Sequence, residues 1–311
     1  SSHDCFIFVM TKRSLNPETA QRRLPLIRNR MRRTEMMLKL RYELRKQRKA
    51  ERKARHEAGE PLQAPNTIEK MRRPDDSVVA PDNLEVVNEE RFDEFAPHFG
   101  GETPPKILFT TAPKGSLKLQ AFVDELATVV PGVTVIPRGR HTVAEIAKQA
   151  MDEGYTDLLV FAERNRKPDA MLFIHLPDGP TAHFRVTNHK PRKAIRGHGN
   201  PTSYPPELIL NNFTTRLGQR LARMLTALFP VVPEFRARNV ATFHNQRDFI
   251  FARFHRYIFD EEGTRVKLQE LGPRFTLKLL SLQDGLFDPE TGQFEFMYHP
   301  KLQVDRKRFF N

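Results

Sequence analysis

The sequence holds a single cysteine, Cys5, in 311 residues. One thiol excludes an intramolecular disulfide and any zinc site built on several thiolates, and it fits a reducing compartment. Long apolar runs are lacking too. The longest near the start, residues 5–10, falls far below the roughly 18–20 apolar residues that a membrane span needs. It has neither a preceding cationic stretch nor a small-residue cleavage site, so it does not read as a secretory signal. A soluble protein of one or two globular units plus an extension is expected, with Met10 a candidate start residue.

The common catalytic signatures are missing as well. Residues 113–116, Pro-Lys-Gly-Ser, lack the glycine spacing of a phosphate-binding loop, no dinucleotide glycine fingerprint follows a strand, and no G-x-S-x-G elbow occurs. His183, His189 and His198 stand 6 and 9 residues apart without nearby acids, which fits a basic loop better than a metal site. No catalytic centre, cofactor or metal is expected.

What is present is positive charge, with 51 Lys and Arg against 38 Asp and Glu, net +13. Such a balance is the electrostatic footprint of a protein that meets polyphosphate. Its distribution is uneven. Residues 1–74 carry 20 basic against 8 acidic side chains, residues 75–103 carry 1 against 9, and the remainder is net +9. Within the first region, residues 22–57 hold 15 basic and 4 acidic side chains, and residues 27–58 contain no Pro or Gly. Good helix formers fill the stretch, but its apolar residues, Met31, Met36, Met37, Leu38, Leu40 and Leu44, stop half-way. Residues 1–58 therefore read as a basic arm, helical or disordered, solvated or laid along a partner of opposite charge. Its candidate phosphate contacts are Arg28, Arg30, Arg32, Arg33, Arg41, Arg45, Lys46, Arg48, Lys49, Arg52 and Lys53.

Residues 59–103, rich in Pro and acids, read as an extended tether. Phe92, Phe95 and Phe99 are its candidate anchors. It is either a solvated linker or an acidic strap that covers basic surface and opposes indiscriminate RNA binding.

From residue 104 the pattern turns globular. Strands are expected at 107–111, 133–136, 157–161, 170–176 and 181–186, with helices at 114–130 and 142–152, the latter capped by Thr142. Pro177-Asp178-Gly179 marks a hairpin turn. After a loop at 190–206, Leu217, Leu221, Leu225 and Leu228 define a helix, followed by strands at 240–243, 249–259, 264–271 and 275–282. Alternating strands and helices give an α/β fold with mixed sheets. No sequence repeat between halves is visible. The part from about residue 104 is expected to fold without what precedes it.

Several basic groups in this part are candidate RNA contacts. No acid lies between Asp178 and Glu207, while Arg185, Lys190, Arg192, Lys193, Arg196 and His198 do. An acid-free loop repels no phosphate, although it also reads as a plain solvated loop. Arg216, Arg220 and Arg223 fall on one helix face opposite the leucines, either as a phosphate stripe or as a solvated face. Arg247, Arg253 and Arg256 alternate with Phe249, Phe251 and Phe254, aromatics that either stack bases or belong to the core. Gly272-Pro273 bends a strand and turns Arg274 outward, toward RNA, protein or Glu270.

Two segments carry a family resemblance. Residues 197–213, Gly-His-Gly-Asn-Pro-Thr-Ser-Tyr-Pro-Pro-Glu-Leu-Ile-Leu-Asn-Asn-Phe, resemble the central signature of the Brix-domain family. Leu268-x-Glu270-x-Gly272-Pro273-Arg274-Phe275-x-Leu277-Lys278-Leu279 resembles its C-terminal motif, and Thr110-Thr111-Ala112-Pro113 between a strand and a helix suits its start. The resemblance covers residues 104–285. It implies a domain of two similar α/β halves, here 104–189 and 207–290, with 291–311 as an extension. It further implies a non-catalytic factor of large-subunit (60S) ribosome assembly in the nucleolus, bound to precursor rRNA and to a dedicated protein partner, without a membrane. A protein-pairing scaffold with incidental RNA contact is the alternative.

Overall fold

The computed structural model describes residues 24–59, 65–68, 70–73, 75–79, 83–260, 265–302 and 307–311. The chain forms two compact units, Ser1–Asn66 and Thr67–Asn311. Helix α1 (Arg30–Glu57) makes up most of the described part of the first. Asn29 caps it, its Oδ1 accepting from the amides of Met31 (2.9 Å) and Arg32 (3.2 Å). None of its residues is buried, as expected of a helix so polar all round.

The second unit is a mixed sheet of eleven strands. They are β1 (Ile107–Thr111), β2 (Val133–Val135), β3 (Asp157–Arg164), β4 (Lys167–His175), β5 (Thr181–Lys190), β6 (Glu207–Asn211), β7 (Asn239–Gln246), β8 (Phe249–Phe259), β9 (Val266–Glu270), β10 (Arg274–Gln283) and β11 (Phe294–Met297). The order is β2-β1-β3-β4-β5-β10-β8-β7-β6, with β11 beside β10 and β9 beside β8. Among the described helices, α2 (Leu84–Glu90) and α3 (Ala96–Phe99) precede the sheet, and α4 (Leu117–Ala127), α5 (Val143–Asp152) and α6 (Arg216–Thr226) pack with it.

The halves repeat one plan. β1 and β6 have 5 residues each, α4 and α6 have 11, β3 and β7 have 8, and β5 and β10 have 10. In each half the first strand runs parallel to a later one, β1 to β3 and β6 to β7, whose hairpin partner then folds back antiparallel. Two-residue turns make those hairpins, Asn165-Arg166 (φ 53 and 58) and Arg247-Asp248 (φ 54 and 63), all four in the left-handed region that tight hairpins demand. The halves meet where β5 pairs antiparallel with β10.

Strand alternation divides the core. Ile107, Phe109, Leu159 and Phe161 join Phe122, Phe184, Leu221, Phe254 and Phe275 in one cluster that spans both halves under α4 and α6. Leu108, Leu158 and Val160 face the other way onto Ile146, Ala147 and Ala150 of α5. The first-half strands are covered on both faces and read as continuous apolar runs for that reason. Thr142 caps α5, as the sequence suggests, and the structure adds a full capping box with Glu145.

Three features differ from the sequence expectations. β6 and β11 are strands that were not anticipated, the former inside the Pro-rich signature, the latter in the presumed extension. The acidic tether does not stay a solvated linker: α2 and α3 lie in the second unit, and Phe95 is fully buried in its core. The compact unit that holds the sheet begins at Thr67 and so includes residues that precede 104.

Candidate nucleic-acid interface

The basic loop starts where β5 ends. Lys190 closes the strand, Arg192–Ala194 form one 3-10 turn, and irregular chain runs on to β6. Lys190, Lys193 and Arg196 are exposed, whereas Arg192 is partly buried. Its Nε donates to the Leu271 carbonyl (2.8 Å), its Nη2 to Thr128 Oγ1 (2.6 Å), and its amide to the Glu125 carboxylate (2.9 Å). Arg192 is thus a strut that fixes the loop, and three of its neighbours carry the free charge. His198 is partly buried, and Arg185 is exposed with Asp169 at 3.8 Å.

The two signature segments meet at this loop. The Gly199 amide donates to the Glu270 carbonyl (2.8 Å), and Arg256 Nη2 to the Asn200 carbonyl (3.1 Å). Gly272 sits at φ +63, and a Cβ there would lie 3.0 Å from Arg192 Cα and 3.0 Å from Ile195 Cδ1. Glycine is required both for the backbone angle and for this approach. Arg274, whose partner the sequence leaves open, turns to Glu270, its Nε 2.7 Å from Oε1.

The stripe on α6 is not bare. Arg216 pairs with Glu89 (3.1 Å), Arg220 with Glu94 (3.1 Å) and Glu295 (2.8 Å), and Arg223 with Asp93 (2.5 Å). Phe99 packs under the Arg223 guanidinium, 4.1 Å from ring centre to Cζ. Burial works against the Arg220 cation, but its bonds to the two carboxylates outweigh this and raise its pKa. Burial likewise works against the Glu94 anion, and Arg220, with a backbone hydrogen bond and the nearby His175, more than reverses it, lowering that pKa. The acidic segment is therefore a strap along α6, held by Phe95 beneath and by ion pairs above. Of the three candidate anchors, Phe92 alone stays almost fully exposed. The opposite charges of the two segments were visible in the sequence, but their juxtaposition was not.

The interleaved aromatics do not form a stacking platform. Phe254 is core, Phe251 holds the Arg253 guanidinium at 5.7 Å, and Phe249 the Lys278 ammonium at 5.2 Å. In the arm, Arg28, Arg30, Arg32, Arg33, Arg41, Arg45, Lys46, Arg48, Lys49, Arg52 and Lys53 are all exposed, Lys53 with Glu57 at 3.5 Å.

A buried pair escaped the sequence reading. His175 Nδ1 lies 2.7 Å from Asp157 Oδ1, Thr156 Oγ1 donates to the other oxygen (2.7 Å), and the Phe95 ring covers the imidazole at 4.5 Å. Its position under the strap suits a structural clasp. Among the described residues no group of three or more His, Cys, Asp or Glu could hold a metal ion, and no helix is long and apolar enough to cross a membrane.

The Brix domain family model matches residues 112–281, more than half of the chain. The chain belongs to the Brix-domain family. It is similar to a protein described as probable ribosome production factor 1 of Drosophila melanogaster, 46% identical over 294 residues that cover 92% of this chain and 75% of that protein. Ribosome production factor 1 of Danio rerio is 48% identical over 249 residues, 80% of this chain and 75% of that one. Among solved structures, the probable ribosomal biogenesis protein from Aeropyrum pernix K1 overlays at TM-score 0.44 and 18% identity, covering 63% of this chain and 100% of that one. The match to the Brix domain leaves out β1, β11 and the acidic strap, which nevertheless belong to the same compact unit.

Proposed function

We propose that this Brix-domain protein is a non-catalytic factor of large-subunit ribosome assembly that binds precursor rRNA in the nucleolus together with a dedicated protein partner. The relatives named as ribosome production factors, similar over most of the chain, support the ribosomal part of this reading. The observation that carries the RNA part is α1: 12 cations against 4 acids on an exposed helix about 42 Å long, with no apolar face buried. Lys190, Lys193 and Arg196 add a second exposed cluster on the domain, in a segment free of acids. Contacts of this kind bind phosphate and carry no base information, so the protein grips RNA by its backbone and takes its specificity from elsewhere.

The test is binding of the full chain to single-stranded RNA as a function of salt. Log affinity falls with log salt by about 0.7 per phosphate contact. Replacing Arg45, Lys46, Arg48, Lys49, Arg52 and Lys53 by Gln, which keeps helix propensity, lowers the slope by about 4 if all six touch phosphate, and weakens related and scrambled RNAs alike. An unchanged slope rejects α1 as an RNA anchor and favours the scaffold reading, in which Met31, Met36, Leu40 and Leu44 meet a protein.

A further inference from the structure

The two halves of the sheet end differently, and the difference exposes a vacant site. Toward the tip of the β7–β8 hairpin, β10 outruns its neighbour: its pairing with β8 stops at Lys278–Phe249. β11 takes over the vacated edge, pairing with Ser281, Leu282 and Gln283. The chain's last residues fill the space beyond, where Asp248 of the turn accepts the amides of Phe310 (2.7 Å) and Asn311 (2.9 Å). The first half is open at the corresponding place, although there β4 itself reaches on to Lys167 in its pairing with β3 and only its pairing with β5 ends early. Pairing of β5 with β4 stops at Arg185–Ala170, and residues 186–190 continue with β10 on one side only. Among the described residues no strand pairs their other edge.

A groove of about 810 Å³ lies along that edge, between α4 and the β3–β4 hairpin tip. Its cations are Lys118, Arg164, Arg166 and Lys167, all exposed, and no described acid pairs with them; Asp169, the acid in the groove, faces Arg185. Arg166 holds the turn position that Asp248 holds in the other half. His189, swung into the groove past Asn188 at φ 52, keeps a buried Nε2 without a hydrogen-bond partner.

We propose that this groove receives an extended, acidic segment of a partner protein, which adds as a strand along residues 186–190. An open strand edge recognises a peptide backbone through ladder hydrogen bonds, and the four cations select carboxylates on the incoming chain. The other half supplies the precedent within the same molecule, since a strand of this chain containing Glu295 occupies the equivalent edge. Nucleic acid satisfies the charge but not the edge. The inference does not rest on the RNA reading above.

The experiment uses the full chain with a fluorescein-labelled alternating Glu/Val decapeptide, the same peptide N-methylated at alternate residues, and a labelled oligouridylate. The unmodified peptide binds, and the amides of residues 186–190 gain hydrogen-exchange protection. N-methylation, which keeps every charge but removes ladder donors, abolishes both effects. The variant R164Q/R166N/K167Q, with Asn chosen because it tolerates the left-handed turn angle, weakens peptide binding about tenfold, the loss of three rim charge pairs. No binding, binding without protection of 186–190, or equal binding of the methylated peptide overturns the proposal even should the variant fold poorly. So does a variant that loses oligouridylate while keeping the peptide, which would assign the groove to RNA.

Discussion

Asp93 and Arg223 stand 130 residues apart in the chain and 2.5 Å apart in space. Their side chains retain 12% and 15% of their exposure, so each charge has little water to fall back on. Asp93→Ala is expected to cost about 3 kcal/mol, because it leaves the guanidinium buried with weaker company. Removing both groups costs less than the sum of the single losses. At the exposed end of the strap, Glu89→Ala costs less than about 1 kcal/mol, since that pair is solvated. Urea unfolding of the four variants checks the gradient, and equal losses at both positions would contradict it.

Phe95 makes the strap part of the core. It is fully buried and packs on His175, so Phe95→Ala should cost about 3–5 kcal/mol. Truncation gives the companion result. A chain starting at Thr67 keeps a cooperative thermal transition, and one starting at residue 104 loses stability steeply, contrary to the expectation from the strand and helix signals downstream of residue 104.

Gly272→Ala tests the clasp between the two signature segments. The left-handed angle costs about 1–2 kcal/mol for any L side chain, and the new methyl also meets Arg192 and Ile195. A lowered Tm accompanied by faster amide exchange at residues 192–199 is expected. Faster exchange elsewhere, with that loop unchanged, would separate the glycine from the loop.

Acid should loosen the domain early. Burial lowers the pKa of His98, His183, His189 and His255 below the ordinary 6.5. A histidine so depressed binds fewer protons folded than unfolded, so its contribution is complete above pH 6.5 and lost as pH falls through the folded value. Glu94, also depressed, adds a further loss below its ordinary 4.5. Tm measured from pH 8 down to pH 4 should hold level and then decline from about pH 6.5. A level Tm down to pH 5 would show that these rings stay solvated.

Much of the fold was legible because its signals are local. The β8 run 249–259 was read to the residue, Thr142 announced its helix as an N-cap, and Leu221 and Leu225 marked the buried face of α6. β6 escaped because its five residues hide behind prolines, and β11 because a short edge strand takes its register from β10 rather than from its own pattern. The two halves were expected from the family resemblance alone and not from a sequence repeat, because the duplication lies in element lengths and turn angles, while α4 and α6 share no sequence pattern.

The sequence by itself determined the family, the order of most elements and the regional charge, each a property of neighbouring residues. Only the tertiary structure decided which charges are free. Arg216, Arg220 and Arg223 look like an open stripe until the strap answers them, and Arg192 looks like its neighbours until Leu271 and Thr128 claim it. Lys118 and Arg166 look unrelated until the sheet brings them to one groove. Coulomb interactions and hydrogen bonds act over a few ångströms of space, whatever the distance along the chain, so a charge's availability is settled by the fold that surrounds it.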